Sequence, residues 1–211
     1  MKLAVYSTVN KNFEAFVNEN NLDASDIIRI VDQPNVGSAY NSIKEIDDDY
    51  ILFIHDDVRF KTPLKEAEEK IKTILKDNPN SIIGLAGSKT YDPNASVQWW
   101  ADFTTNVGRV NHCDRTHEWT SSFGPIDASG TKTRVVDGVF MAMSTEFYFK
   151  GKPFASSNAN DFYDIRACMV AESCYVIDYL VLHKSVGDGC FKSTYKEEAA
   201  KFLNDYNTGS L

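Results

Sequence analysis

The stretch Tyr50-Ile51-Leu52-Phe53-Ile54-His55-Asp56-Asp57 decides how the chain is read. A short apolar run follows the polar break Asp47-Asp48-Asp49 and ends on a polar triplet. Such a run predicts a strand buried on both faces, as in a sheet covered by helices. Upstream, Lys2-Leu3-Ala4-Val5-Tyr6-Ser7 predicts another buried strand, after which Phe13, Phe16 and Val17 recur at helical spacing. Ile27 to Val31 predicts a second strand ending at Asp32, and Pro34 and Gly37 precede a helix expected over Ser38 to Ile46. Downstream, Thr62 stands as a helix cap with Pro63 at the first helical position. Leu64, Ala67, Ile71, Ile74 and Leu75 mark one apolar face, and Ile82 to Ala86 is the next strand. This alternation predicts an α/β fold with a mostly parallel central sheet flanked by helices.

From Ser88 to Thr133 the periodicity lapses, which predicts long loops or a small insertion across the sheet edge. Order returns at Val135 to Met143, a strand broken by Asp137-Gly138. A helix is expected over Asp161 to Ala171, a strand over Tyr175 to Leu182, and a last amphipathic helix over Tyr195 to Tyr206. With no repeat or linker in view, residues 1–211 read as one domain. Within it the regular alternation ends at about residue 90, which divides residues 1–90 from 91–211.

Composition narrows the function. The 211 residues include 22 Lys and Arg against 30 Asp and Glu, a formal charge of -8, the wrong sign for holding nucleic acid through its phosphates. Thirteen Phe, ten Tyr and three Trp supply the bulk for a real core, so neither disorder nor a disulfide-dependent miniature fold is expected. Cys113, Cys168, Cys174 and Cys190 form no close pair, and no cleavable signal precedes the first apolar segment. A cytoplasmic location is expected, with peripheral attachment at the inner face of the membrane left open. No apolar run approaches the roughly 20 residues of a helical membrane span.

Chemistry is expected where strands end. Paired carboxylates after a buried strand can hold a divalent cation that neutralises phosphate, although Asp56-Asp57 also suits an acidic turn or helix cap. Asp137-Gly138 places a second carboxylate within an apolar run, as a ligand contact or as a bulge. Asp161 and Asp164 lie three apart at a helix start, where Asp161 suits capping. His183 closes the last strand, either completing a Mg²⁺ or Mn²⁺ site or simply ending the strand. His112-Cys113-Asp114-Arg115-Thr116-His117 gathers three potential zinc ligands at a spacing foreign to structural sites. Trp99-Trp100 is either a sugar platform or a packing anchor. Gly84 to Ser88 lacks the lysine and spacing of a P-loop, and Gly187-Asp188-Gly189 signals a turn.

In this order the motifs resemble the small nucleotide-sugar glycosyltransferases of the GT-A class, particularly the family 2-like group that includes streptomycin-biosynthesis StrF-type domains. The likeness rests on Gly37-Ser38-Ala39-Tyr40-Asn41, Tyr50 to Val58, Gly84 to Ser88, Trp99-Trp100, Val136 to Ala142, Phe162-Tyr163-Asp164-Ile165 and His183 to Gly187. It implies an inverting transfer from a nucleoside-diphosphate-sugar to a hydroxyl of a glycan, lipid-linked or small-molecule acceptor, assisted by Mn²⁺ or Mg²⁺, with roughly residues 1–90 as the nucleotide-binding half and 91–211 as the acceptor and metal-site half. Asp57 and His183 then resemble metal ligands and Asp164 the acceptor-activating base. Asp56 resembles a ribose or diphosphate contact, and Asn41 belongs to the segment before the acidic strand on the donor side. Ser7, Thr8 and Asp32 would grip the nucleoside, and Asp137 would border the sugar or acceptor. His55 replaces the first acidic residue of many relatives. Arg166 departs from the pattern and is expected to meet either a phosphate or Asp164, where it would lower that group's basicity. The alternatives are a noncatalytic nucleotide-sugar or glycan-binding module on the same fold, and a different phosphate-handling α/β enzyme.

Overall fold

The computed structural model describes residues 1–114, 116–185 and 193–211. Arg115 and the Gly187-Asp188-Gly189 signal with Cys190 lie outside the described residues. The chain begins with β1 (Lys2–Tyr6), α1 (Asn10–Glu19), β2 (Ile27–Ile30), α2 (Val36–Asn41), β3 (Tyr50–His55) and β4 (Val58–Phe60). Then come α3 (Leu64–Asp77), β5 (Ser81–Gly84), β6 (Ala86–Ser88), β7 (Asn106–Cys113), β8 (Glu118–Ser122), β9 (Thr131–Thr133) and β10 (Val135–Val136). It closes with β11 (Phe140–Ser144), α4 (Thr145–Gly151), α5 (Tyr163–Val170), β12 (Ser173–Val176), β13 (Val181–His183) and α6 (Ser193–Thr208).

The helices follow their apolar faces. In α3 the buried residues are Ala67, Ile71, Ile74 and Leu75, the spacing that turns one stripe inward, with Glu66 in the first turn and Lys76 in the last matching the helix dipole. Pro63 occupies the cap position itself, and Thr62 makes no cap. Helix α2 is shorter and earlier than expected, because the Asn35 side chain accepts from the Ser38 amide and starts the helix there.

Seven strands form one sheet in the order β2-β1-β3-β11-β5-β12-β9. It is mixed, correcting the mostly parallel expectation: β2, β1 and β3 are parallel, as are β5 and β12, while β11 runs antiparallel to both β3 and β5, and β9 to β12. The cause is the route of the chain. No helical crossover returns it after β5; β6 to β10 intervene, and the chain re-enters through Asp137-Gly138 from the end where β3 finishes. Phe140 therefore pairs with Ile54, and Asp137 is delivered beside His55-Asp56-Asp57.

The second sheet, in the order β10-β6-β7-β13-β4 with β8 beside β7, is built largely from the stretch read as irregular. The expected strand from Tyr175 to Leu182 is two strands, β12 in the first sheet and β13 in the second. Strand β3 likewise leaves the first sheet through the Asp56-Asp57 turn, and β4 enters the second. In the pairing of β4 with β13, His183 stands opposite Val58, next to Asp57. Residues of both sheets join one hydrophobic cluster, centred on Tyr40, Phe53, Phe140 and Phe154, all fully buried.

Candidate active site

The turn after β3 has a cavity on each side. On the side of β1, a cavity of about 310 Å³ is lined by Tyr6, Ser7, Thr8, Tyr40, Asp56 and Asp57 among others. The Ser7 hydroxyl donates to Asp56 Oδ2 at 2.6 Å, fixing that carboxylate at the cavity wall. Asp32, at a left-handed φ of 57°, and Asn41, at the end of α2, are both exposed and lie outside this lining. The structure thus gathers Ser7, Thr8 and Asp56 and leaves Asp32 and Asn41 apart.

On the other side, His55, Asp57 and His183 each offer a ligand atom within 4.8 Å of the others. Asp57 Oδ1 lies 3.4 Å from His183 Nε2 and, although buried, has no hydrogen-bond partner among the described residues. Burial works to raise the Asp57 carboxyl, but the His183 imidazole and then His55 hold it below the ordinary range. Burial likewise works to lower His183, and Asp57 raises it on balance. An orphaned buried carboxylate oxygen beside two imidazoles is a donor set that fits a divalent cation.

His55 is oriented from behind. Its Nε2 is 2.7 Å from the Tyr163 hydroxyl, which donates its one proton to the Gly138 carbonyl at 3.0 Å. The phenol oxygen therefore accepts from Nε2–H, and Nδ1 keeps the lone pair. Burial, then the nearby His183, lowers the His55 pKa and favours this neutral form. Gly138 makes the arrangement possible, since a Cβ there would lie 2.3 Å from the Tyr163 hydroxyl and 3.0 Å from Asp164 Cβ.

Asp164 is one of three carboxylates, with Asp137 and Asp161, lining a cavity of about 260 Å³ that also touches His55, His183, Trp99 and Trp100. Its Oδ2 accepts from Gly138 N at 3.0 Å and its Oδ1 from Ile165 N at 2.8 Å. Burial, and then the charge of Asp137, push its carboxyl up to about 7. Asp137 itself is tied to Val139 N at 2.8 Å. The structure thus brings Asp137, Asp164 and His183 to one cavity, with Asp57 joined to it through His183.

Arg166 does not meet Asp164. It is 3% exposed and pairs with Asp205 of α6 at 2.7 Å, with its guanidinium 5.4 Å from the Phe202 ring centre. Asp161 is no cap: the cap position is Phe162, at a left-handed φ of 61°, and the Asn160 and Asp161 amides donate instead to Glu198 of α6. The potential zinc ligands from His112 to His117 do not gather into a site among the described residues. Asp114 closes a turn by accepting from the Thr116 and His117 amides, while His112 faces His183 with ring centres 5.7 Å apart. His55 is the candidate metal ligand that sequence reasoning missed, though its place at the end of the decisive strand was the available signal.

A strand-end carboxylate flanked by imidazoles, with a cavity on each side of its turn and a proton-holding carboxylate lining one of them, sits outside strand carboxyl ends, where α/β sheets bind their ligands. The chain belongs to the glycosyltransferase-like family, whose sequence profile matches residues 16–206, and the mixed α/β architecture is consistent with a GT-A fold. It is similar to the streptomycin biosynthesis protein StrF of Streptomyces griseus, 26% identical over 109 residues that make up 49% of this chain and 37% of that protein. The chain thus matches well under half the length of that relative. It is also similar to A197 from STIV, at 10% identity and a TM-score of 0.43 over 88% of this chain and 83% of that one.

Proposed function

We infer that this chain is an inverting glycosyltransferase that moves a sugar from a nucleoside-diphosphate-sugar to an acceptor hydroxyl with divalent-metal assistance. The observation that supports it is the shared cavity of Asp164, Asp137 and His183, which adjoins the His55-Asp57-His183 cluster. Residues 1–211 act as one domain, with the nucleotide cavity in the first 90 residues and the acceptor side in the remainder. Ser7, Thr8 and Asp56 would hold the nucleoside from the cavity wall, with Asp32 and Asn41 outside that lining, while Asp137 borders the sugar.

Asp57, His183 and His55 would hold the cation, and two nitrogen donors with one carboxylate suit Mn²⁺ better than Mg²⁺. An ion held there would supply positive charge that offsets the charge developing on the diphosphate. Asp164 takes the acceptor hydroxyl proton as that oxygen bonds to the anomeric carbon, and the carbon–oxygen bond to the diphosphate breaks with its electron pair leaving on the nucleotide. A single displacement inverts the anomeric centre.

Both oxygens of Asp164 already accept backbone hydrogen bonds, which favours as second reading a noncatalytic nucleotide-sugar or glycan-binding module. Calorimetry with nucleoside diphosphates and Mn²⁺, followed by a donor-turnover assay, separates the two. The enzyme reading expects Asp57→Ala to abolish metal-dependent nucleotide binding, and Asp164→Asn to keep binding while losing transfer. Transfer retained in Asp164→Asn removes the base assignment, and nucleotide binding without turnover by the unmodified chain selects the binding module. Among the described residues no helix is long and apolar enough to cross a membrane, so a lipid-linked acceptor would be met at a surface.

A further inference from the structure

A cavity of about 450 Å³ lies against the site, walled mainly by Trp99, Trp100, Phe103, Trp119 and Phe123. It shares Trp99, Trp100, Asp137 and His183 with the cavity that holds Asp164, so the two join at that wall. The aromatics differ in what they do. Trp99 is 5% exposed and packs edge-on against Trp100 and Phe123, with ring centres 5.7 Å apart in each pair, so these three anchor the fold. Phe103 is 73% exposed and Trp119 39%, and neither joins the hydrophobic cluster. Two large rings held in water at one recess, with no part in the core, are apolar surface that gains on being covered.

The polar side chains of the recess choose its occupant. Apart from Asp137 and His183 on the shared wall, they are Ser121 and His112. His112 is stacked on Trp119 at 21° between ring planes, and its Nδ1 is buried with no partner among the described residues. A pyranose carries a hydroxyl on nearly every ring carbon, all round its rim, and the four polar side chains, two of them together on the shared wall, satisfy only part of them. Each one left unpaired weakens binding. A flat aromatic ring bearing one hydroxyl needs a single polar contact, and it gains from every aromatic face around it.

We propose that this recess is the acceptor subsite and that it takes an aromatic alcohol, with the ring among Phe103, Trp119 and Trp100 and the hydroxyl at the wall formed by Asp137 and His183. The word acceptor rests on the glycosyl-transfer reading; the preference for an aromatic ring over a saccharide rests on the recess alone. The test is calorimetry with 2-naphthol and with cellobiose, without metal or nucleotide, on the unmodified chain and on Phe103→Ala and Trp119→Ala. Both substituted residues are exposed and outside the core, so circular dichroism should match the unmodified protein. 2-Naphthol is expected to bind at least about tenfold more tightly than cellobiose, and each substitution to weaken it about two- to tenfold, the value of one aromatic pair. Cellobiose binding as tightly as 2-naphthol, no binding of either, or 2-naphthol binding that neither substitution changes would each overturn the proposal. A parallel titration with UDP and Mn²⁺ should be the same in all three proteins. If the unmodified chain binds neither UDP nor GDP, CDP or dTDP with Mn²⁺, the transfer reading is lost while the 2-naphthol result still decides the recess.

Discussion

Replacing Asp164 with Asn should stabilise the protein at alkaline pH, and the structure gives the size of the gain. Burial and Asp137 hold the carboxyl at about 7 against an ordinary 3.8. A gap of about three pH units at about 1.4 kcal/mol each means that the ionised group costs the folded state about 4 kcal/mol. The folded chain keeps a proton that the unfolded chain releases between about pH 4 and about pH 7, so stability falls as pH rises through that window and levels off above it. Asparagine removes the charge but offers one acceptor oxygen, whereas Gly138 N and Ile165 N bond to different oxygens of Asp164. Losing one of those bonds returns about 1–3 kcal/mol. The variant should therefore be more stable by about 1–3 kcal/mol near pH 8 and less stable by the lost bond near pH 4. Urea unfolding of both proteins across that range measures the difference directly. A difference that stays constant from about pH 4 to about pH 8 would refute the raised pKa and the proton-holding role built on it.

Tyr163→Phe removes the hydroxyl that orients His55, and Mn²⁺ affinity should fall about 10- to 100-fold by calorimetry while the near-ultraviolet spectrum keeps its shape. Gly138→Ala forces a methyl into the space of the Tyr163 hydroxyl, so it should cost about 1–3 kcal/mol and lower the melting temperature by several degrees in scanning calorimetry. Glu198→Ala frees the Asn160 and Asp161 amides ahead of α5, and hydrogen exchange should rise in residues 158–163 before it rises in the strands. Arg166→Ala leaves Asp205 to Lys201 of its own helix and removes the buried guanidinium from beside Phe202, an expected loss of about 1–3 kcal/mol in urea unfolding, with donor binding by the folded fraction unchanged.

Much of the site was legible because it sits at the ends of regular strands. The apolar run of β3 located Asp56 and Asp57, and the Asp137-Gly138 break located the entry to β11. The second sheet was not legible, for reasons its residues explain. Strand β7 reads Asn-Val-Gly-Arg-Val-Asn-His-Cys, poor in strong strand formers. Its Gly108 has a φ of 99°, and a Cβ there would lie 2.2 Å from the Leu85 carbonyl oxygen, so the glycine allows a close backbone crossing that no periodicity announces. The direction of β11 was hidden as well, since a strand buried on both faces has the same composition whichever way it runs. Arg166 was misplaced because its partner, Asp205, is 39 residues away on a helix whose docking only the fold reveals.

The central position of β11 also governs when the molecule can fold. Strand β3 pairs with β11 on one side, and β5 reaches β3 only through that same strand. A ribosome that has released the first 90 residues has therefore made the parallel trio and β5 but nothing to join them, and both waiting edges are apolar strands. Closure waits until Phe140–Ser144 emerges, so the order of synthesis runs against the order in which the sheet needs its parts. A fragment ended before β11 should aggregate, and one that includes it should be the shortest from this end to present a continuous sheet.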